Sequence, residues 1–394
     1  MVPPPAPLHD APGVVEIVRA ARDEGRFALD LEFLWERTYK PLPCLAQIAV
    51  GRRIAIVDPL AGGPLEPIAE LVADPDVATV MHAPSADLTL LALHFDVRPA
   101  ALVDVQTVAG FVGLGASQSL ATLLERALRI RLDKTESYSD WSRRPLTDAQ
   151  LEYAADDVRH LLPLADALVE RARRLGRWAG VDEELERRYG AGATFTTLPS
   201  EAWRRIKGQG RLSGRDRAVL QQVAEWRERE ALRRDRPPAW VLPDRLALEI
   251  ARRRPADRAA LAAARGATER LRDSDVRGLL EAVQAGMEAQ PIHLPAGPPP
   301  EMAARLDTLG ALGQILVGAR AGAAGLAAPL LATRDEIEAY LAAVVSGDAD
   351  GLPLASGWRR ELAGEALERL ARGRLALAPD AAPPYIREVG TDPT

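Results

Sequence analysis

The chain has 394 residues, which exceeds the size of one ordinary core and predicts two or three domains, while 47% apolar and 27% charged residues exclude a disordered protein. A single cysteine, Cys44, excludes an internal disulfide and is typical of a reducing compartment, and the net charge of −6 argues against a uniformly basic nucleic-acid coat. The start of the chain shows no secretory signal and no segment is continuously apolar over a bilayer's width, so we expect a cytoplasmic protein.

The first half of the chain alternates between short apolar strands and amphipathic helices, a pattern typical of a mixed α/β domain. A short helix opens it, and three strands that form an antiparallel meander follow. Two further helices flank a buried strand. The expected elements are a helix at 14–24, strands at 27–33, 45–50 and 54–57, a helix at 64–73, a strand at 77–81 and a helix at 84–94.

The strand over residues 27–33 carries two acids, Asp30 and Glu32, among apolar residues. Because side chains alternate across a strand, both carboxylates lie on one face. Two carboxylates at this spacing repel each other unless a cation lies between them, and hard divalent cations are the usual solution. The strand therefore indicates half of a metal site. The alternative is an edge strand whose two acids face water.

Two further aspartates occur where an apolar strand ends and a helix begins. Asp87 falls in the first turn of the helix after 77–81, and open α/β sheets place ligands at such strand ends. An acid in a first turn is also favoured by the helix dipole alone. Asp104 follows the strand residues Leu102-Val103, and we interpret it as a helix cap or a supporting group rather than a ligand.

A helix beginning after Thr147 carries a tyrosine and an aspartate on one face. Thr147 and Gln150 have capping-box spacing, which marks the helix start. Tyr153 and Asp157 are four residues apart and therefore project together, whereas Asp156 is rotated by about 100° and faces elsewhere. Such a pair also occurs on ordinary helix surfaces, so its meaning depends on the other acids.

Together these segments resemble the ribonuclease D family, which belongs to the DEDD exonucleases of the subtype with a tyrosine beside the last aspartate. The motifs that carry the resemblance are Leu29-Asp-Leu-Glu-Phe33, His82-Ala-Pro-Ser-Ala-Asp-Leu88 and Tyr153-Ala-Ala-Asp-Asp-Val158, and no acid is missing. The run from Asp140 to Thr147 is similar to the segment before the third motif in that family. The resemblance implies a ribonuclease H-like mixed sheet flanked by helices.

The same resemblance implies a catalytic set and its cofactors. Asp30, Glu32, Asp87 and Asp157 would bind two divalent metal ions, with Asp30 shared between them, and Tyr153 would orient the attacking water. Mg²⁺ is the expected ion and Mn²⁺ is expected to substitute, because both accept oxygen ligands. Substrate contacts are implied for the segment before the third motif, namely Lys134, Trp141, Arg143 and Arg144; alternatively, Trp141 anchors this connector to the core.

The second half of the chain is predicted to be helical. Residues 208–290 resemble the helicase-and-ribonuclease-D C-terminal (HRDC) domain, and residues 300–378 resemble a second such repeat behind a Pro-rich linker. The exonuclease domain is assigned to 1–190, and 379–394 to a disordered tail. Residues 183–188 are expected to be a solvated helical segment.

The segment from residue 201 to 290 is basic, with 20 Arg or Lys against 14 Asp or Glu, although the chain as a whole is acidic. This asymmetry is typical of a basic module that guides a polyanion to an acidic metal site. The arginine excess is also what a biased genome composition would give. Candidate phosphate contacts are Arg204, Arg205, Lys207, Arg211, Arg215 and Arg252 to Arg254.

The leading hypothesis is a metal-dependent 3′-5′ exoribonuclease that acts on single-stranded 3′ ends and releases nucleoside 5′-monophosphates. The resemblance further implies tRNA precursors as substrates. Two alternatives stay open: a DNA-directed 3′-5′ exonuclease with the same metal site, and an RNA-binding scaffold without activity. Membrane partners are not expected, and the sequence does not predict an oligomeric state.

Overall fold

The structure is a computed structural model and describes residues 5–132, 139–263, 271–294 and 298–391. Its first section, up to residue 190, alternates strands with helices, as the sequence predicts. The elements are α1 (Ala11–Glu24), β1 (Arg26–Leu34), β2 (Leu42–Val50), β3 (Arg53–Val57), α2 (Glu66–Val72), β4 (Ala78–Met81), α3 (Ser85–Phe95), β5 (Leu102–Asp104), α4 (Val105–Phe111), α5 (Leu120–Leu128), α6 (Asp148–Arg159), α7 (Leu161–Arg174) and α8 (Trp178–Tyr189).

These strands form one mixed sheet in the order β3-β2-β1-β4-β5. The predicted meander is confirmed, since β1 pairs antiparallel with β2, and β2 with β3. On its other side β1 pairs in parallel with β4, so the strand that carries Asp30 and Glu32 lies at the centre of the sheet. The alternative of a water-facing edge strand is therefore wrong.

Helices flank this sheet, and their ends follow local chemistry. The Asp10 side chain caps the start of α1, and Gly25 ends it with a φ of 71°, a left-handed conformation that suits glycine. The helices α6 and α7 both pack against β1. Phe27, Leu29 and Leu31 of that strand are buried in the core, which leaves the acids on the face opposite to them.

The middle section builds a hydrophobic core of its own around a long helix. Leu220 and Val223 of this helix are buried, and the partly buried Trp226 packs against the same core. Its helices are α9 (Gly214–Arg234), α10 (Pro238–Val241), α11 (Asp244–Arg253), α12 (Arg258–Ala262) and α13 (Asp273–Glu288). Both α11 and α13 pack against α9.

A polar contact joins the middle section to the loop between β1 and β2. Asp235 ends α9 in a left-handed conformation, and its carboxylate accepts hydrogen bonds from the backbone N–H groups of Tyr39 at 3.0 Å and Lys40 at 2.9 Å. The Tyr39 hydroxyl also donates to Glu228 of α9. This loop, which directly follows the strand of acids, is therefore held from the helical side.

The last section shares its hydrophobic core with the first. Leu316, Leu331 and Tyr340 are buried in the same cluster as the sheet residues, and Trp358 packs on Phe111 with ring centroids 4.9 Å apart. Its elements are α14 (Pro300–Ala323), α15 (Ala328–Leu331), α16 (Arg334–Ser346), α17 (Gly357–Arg359), a π-helical turn (Arg360–Gly364), α18 (Glu365–Ala371), β6 (Leu375–Pro379) and β7 (Ile386–Gly390). Residues 300–378 were predicted to form a second HRDC-like helical domain, and their buried residues belong to the same core as those of the first section.

The predicted disordered tail after residue 379 is wrong over the residues that the structure describes, up to 391. β6 and β7 form an antiparallel hairpin in which Leu375 pairs with Gly390. Glu388 of β7 forms an ion pair with Arg320 of α14 at 2.6 Å, which ties the hairpin to the last section. The pairing of β7 with β6 and the ion pair of Glu388 with Arg320 therefore hold this polar segment in place.

The predicted solvated segment 183–188 is also wrong at two positions, because Glu184 is fully buried and Leu185 is buried as well. Its carboxylate accepts hydrogen bonds from Arg187 and Arg188 of the same helix and from Arg359 of α17, the last at 2.7 Å. A buried carboxylate requires such partners.

Over the described part of the chain, no helix is both long and apolar enough to cross a membrane.

Candidate metal centre

Three of the predicted acids meet in space. Carboxylate oxygens of Asp30, Glu32 and Asp157 all lie within 4.8 Å of one another, and each of these residues is half-buried. Two of them come from alternate positions of β1, and the third comes from a helix more than a hundred residues later. The cluster has the donor type and spacing of a site for a divalent cation.

Helix α6 brings Asp157 to the strand. The predicted capping box at its start is present, with the Thr147 side chain accepting from the backbone of Gln150 and the Gln150 side chain accepting from that of Thr147. The apolar face of α6 packs against β1, β2 and β3. On this face the small buried residues Ala154 and Ala155 let the helix approach the sheet closely. Tyr153 lies on the same helix, beside this apolar contact.

Asp87 lies next to this cluster, in the first turn of α3, and is buried. Burial raises the pKa of its carboxyl well above the ordinary value, repulsion from Asp30 raises it further, and backbone hydrogen bonds, one of them from Leu31, act in the opposite direction. The bond from Leu31 places Asp87 against β1. All four predicted acids therefore gather at one place on the central strand.

Asp104 supports the turn that carries Asp87. It caps α4 by accepting from the backbone N–H of Gln106, as the sequence predicts, and it also accepts from the N–H of Ala83 at 2.9 Å. Ala83 has a φ of 53°, which is strained for a residue with a side chain. Tyr189 of α8 donates its hydroxyl to the same carboxylate at 3.0 Å. Asp104 is thus a supporting group.

The electrostatics of the cluster call for a cation. Desolvation raises the pKa of Asp30 to about 7. Desolvation and repulsion from the other acids raise the pKa of Glu32 to about 9, and desolvation and repulsion from Asp30 and Asp156 raise that of Asp157 to about 8. Carboxylates grouped in this way are stable in their charged form only with positive charge between them.

A buried amide beside the acids supports the same conclusion. Gln47 is the cross-strand partner of Asp30, so both side chains are on one face of the sheet. Gln47 is fully buried, and within the described part of the chain neither its amide nitrogen nor its oxygen has a hydrogen-bond partner. Buried polar atoms are rarely left without partners. A hydrated ion at the neighbouring carboxylates would supply them, so the residues present fit a metal.

The connector before α6 is anchored to the core. Trp141 is buried against Leu151 and Ala155, with its ring centroid 6.0 Å from that of Tyr153. Arg144 donates to the buried carboxylate of Asp58 at 2.6 and 2.7 Å and to the carbonyl of Cys44. The structure therefore favours the anchor alternative for Trp141 and gives Arg144 structural partners, while its substrate contact stays a prediction.

Of the other two predicted substrate contacts, Arg143 forms an ion pair with Asp140 and its side chain is 83% exposed, which leaves it accessible. Lys134 lies outside the described residues. Among the predicted phosphate contacts, Arg215 donates to backbone carbonyls at the end of α13, and Arg254 pairs with Asp216. These two arginines have structural partners, whereas Arg205 and Lys207 are exposed.

Two supporting residues, Asp58 and Tyr189, were not predicted from the sequence. Asp58 follows β3 and caps a short 3₁₀ turn, a local signal that could have identified it as a buried cap. Its partner Arg144 is 86 residues away, and no local feature of the sequence indicates that the two residues pair. Tyr189 ends α8, and its bond to Asp104 spans 85 residues.

Comparison with known proteins agrees with this geometry. A family model described as 3′-5′ exonuclease matches residues 7–173, which include all four acids and Tyr153, and a model described as HRDC domain matches residues 216–283. The fold, the acid cluster and the two matching family models together define the chain as a 3′-5′ exonuclease joined to an HRDC domain.

Relatives extend over nearly the whole chain. Ribonuclease D from Acidiphilium cryptum is 36% identical over 95% of this chain and 96% of its own length, and that from Gluconacetobacter diazotrophicus is 37% identical over 94% and 93%. The crystal structure of Escherichia coli RNase D, described as an exoribonuclease involved in structured RNA processing, superposes with a TM-score of 0.76 at 30% identity, covering 94% of this chain and 99% of that one. The chain belongs to the ribonuclease D family, a family of 3′-5′ exoribonucleases, and the predicted resemblance and fold class are confirmed.

Proposed function

We propose that this protein hydrolyses RNA one nucleotide at a time from a single-stranded 3′ end and releases nucleoside 5′-monophosphates, with two divalent ions at the acid cluster. The observation that carries the proposal is the convergence of the Asp30, Glu32 and Asp157 oxygens within 4.8 Å on a half-buried face. Membership of the ribonuclease D family supports the reaction class. The setting is the cytoplasm, and the proposed substrates are tRNA precursors with 3′ extensions.

The acids divide between the two ions by position. Asp30, Glu32 and Asp157 would hold one ion, and Asp30 and Asp87 would hold the other, so that Asp30 is shared. Bound there, divalent ions lower the pKa of a water nucleophile and neutralise the charge that develops on the phosphate. Mg²⁺ fits an all-oxygen donor set, and Mn²⁺ fits it equally in ligand type.

The chain's own residues perform the remaining steps. Asp104 and Tyr189 fix the turn before α3 and so keep Asp87 against β1. Tyr153, one helical turn before Asp157, would hydrogen-bond the attacking water and orient it toward the phosphate. Trp141 packs beside the Tyr153 ring and limits its movement, which favours one orientation of the hydroxyl.

The proposal is tested by incubating three 5′-labelled substrates with and without Mg²⁺: an oligoribonucleotide, the oligodeoxyribonucleotide of the same sequence, and a 3′-extended tRNA precursor. We expect shortening from the 3′ end only, monophosphates as the product, preference for RNA, and trimming that slows at the end of the tRNA acceptor stem. Preferential digestion of the deoxy substrate would favour the DNA-directed alternative. Cleavage that continues in EDTA would contradict any metal-dependent reaction.

Replacing Tyr153 by Phe is expected to slow the chemical step by about 10²-fold, the usual contribution of one positioned proton-handling group, without weakening RNA binding. The ring, and with it the contact to Trp141, is retained. Single-turnover rates and RNA affinity measured in parallel check this expectation. A loss of affinity with an unchanged single-turnover rate would contradict the water-orienting role.

A further inference from the structure

We propose that a cavity between the exonuclease section and the HRDC domain is a binding site for one unstacked nucleotide of the RNA, on the 5′ side of the bond that is cut. The cavity has a volume of about 380 Å³, within the range of small-ligand sites. It is separate from the carboxylate cluster. This inference rests on the proposed function and names a second contact for the same RNA.

The walls of the cavity come from both sides of the domain junction. The exonuclease side supplies Trp35 and Tyr39 from the loop between β1 and β2, and Thr89 from α3. The segment between α8 and α9 supplies Phe195 and Arg205, and α9 of the HRDC side supplies Glu228. Three aromatic side chains, one arginine and one carboxylate thus surround a single space. Aromatic faces with a nearby cation are the usual elements of single-strand RNA recognition.

Trp35 is the strongest feature of this cavity. Its side chain is 46% exposed, although large apolar residues usually avoid water. Its indole N–H donates to the carbonyl of Tyr39 at 3.0 Å, and its ring meets Phe33 edge-on with centroids 6.5 Å apart. An exposed ring that is already held in place loses little conformational entropy when a base stacks on it. The geometry therefore suits a stacking platform.

The opposite wall supplies polar groups for the edge of a base and for the backbone. Glu228 is buried and its carboxylate accepts from the Tyr39 hydroxyl, which leaves further lone pairs for an exocyclic amino group of a base. Arg205 is exposed beside Tyr39, where it can reach a phosphate. Asp235 holds the loop of Tyr39 from the HRDC side and so fixes the distance between the two walls.

The position of the cavity decides which nucleotide it takes. Trp35 follows Glu32 by three residues, about 10 Å along an extended chain, and Thr89 follows Asp87 by two. A 3′-5′ exonuclease holds the terminal nucleotide at its carboxylates. Any further nucleotide in contact with the enzyme therefore lies on the 5′ side of the cleaved bond, and it must be unstacked to enter the cavity.

The test compares Trp35→Ala with Trp240→Ala, a matched control that removes another exposed tryptophan, 57% exposed and outside the cavity lining. Binding of fluorescently labelled oligoribonucleotides is measured by anisotropy in EDTA, where no hydrolysis occurs. For an octanucleotide we expect Trp35→Ala to weaken binding about tenfold, the value of one lost stacking contact, and Trp240→Ala to leave it unchanged. Arg205→Ala is expected to weaken the same binding and to reduce its salt dependence.

Hydrolysis in Mg²⁺ gives the second readout. With Trp35→Ala we expect KM to rise for the octanucleotide while kcat stays unchanged, and neither constant to change for the p-nitrophenyl ester of a nucleoside 5′-monophosphate, which carries no nucleotide on the 5′ side of the cleaved bond. Unchanged octanucleotide binding in both Trp35→Ala and Arg205→Ala would overturn the subsite while leaving the nuclease intact. An equal loss on the p-nitrophenyl ester would overturn it as well, because Trp35 would then act at the carboxylates. A wild-type protein that hydrolyses no RNA but binds the octanucleotide through Trp35 would overturn the proposed function alone.

Discussion

Replacing Asp30 by Asn is expected to reduce RNA hydrolysis by about 10³-fold or more while the protein stays folded, because Asp30 is the one acid proposed to contact both ions and an amide supplies no charge to hold them. Asp30 lies in the middle of the cluster, with Glu32, Asp87 and Asp157 all close enough to interact with it. The substitution preserves the shape of the side chain. Single-turnover rates in saturating Mg²⁺ give the size of the effect.

Two further measurements separate lost chemistry from lost folding. Without metal, the variant should melt at or above the wild-type temperature, because one charge is removed from a partly desolvated group of acids. Addition of Mn²⁺ should raise the melting temperature of the wild type more than that of the variant. Asp156→Asn is the matched control, since Asp156 neighbours Asp157 but pairs with Arg159 at 2.6 Å. Wild-type turnover by Asp30→Asn would falsify the metal assignment.

Replacing Arg359 by Ala is expected to lower the free energy of unfolding by about 3 kcal/mol or more, the usual cost of breaking a buried pair from one side. The Arg359 side chain is buried, donates to Glu184 at 2.7 Å, and also donates to the carbonyls of Leu330 and Leu331. Truncation therefore leaves a buried carboxylate with one partner fewer and two carbonyls without this donor. Urea unfolding at neutral pH measures the change.

The control for this variant is Arg334→Ala, which removes an exposed arginine paired with Glu338 one helical turn away. Such a surface pair contributes little to the free energy of unfolding, because solvent screens the two charges and ordering two long side chains costs entropy. An Arg359→Ala protein as stable as Arg334→Ala would contradict the structural role given to the Arg359 pair.

The pH dependence of the Arg359 effect has a definite sign. Burial raises the pKa of Glu184, but the bonds and charges of Arg187, Arg359 and Arg188 outweigh it and lower the pKa from 4.5 to about 2. The pairing therefore stabilises the fold fully above pH 4.5 and loses its effect as the pH falls toward 2. The difference in stability between wild type and Arg359→Ala should accordingly narrow over that range.

The parts of the site that sequence could predict are those with a local signature. Asp30 and Glu32 follow from the two-residue period of a strand, and Tyr153 and Asp157 follow from a helix whose start is marked by a capping box. Asp87 and Asp104 sit at strand ends, where position alone indicated a supporting or ligating role. The family resemblance then predicted that these segments meet, which the structure supports for all four acids.

The parts that could not be predicted depend on contacts between distant segments. Nothing in the sequence near Arg144 indicates that Asp58 is its partner. Glu184 lies in a charged helical segment that is typical of a protein surface, although it is buried and pairs with Arg359, 175 positions away. The sequence left two roles open for Trp141, stacking on RNA or anchoring the connector, and its buried neighbours favour the anchor. In each case burial, rather than the type of residue, decides the role.

The continuity of the first and last cores has a consequence for how the enzyme is made. The HRDC core closes within a single stretch of sequence and can form as soon as that stretch has left the ribosome. The core of the catalytic section instead includes Leu331, Tyr340 and Leu367, which follow the HRDC core in the chain. During synthesis the HRDC core can therefore close before the core of the catalytic section is complete.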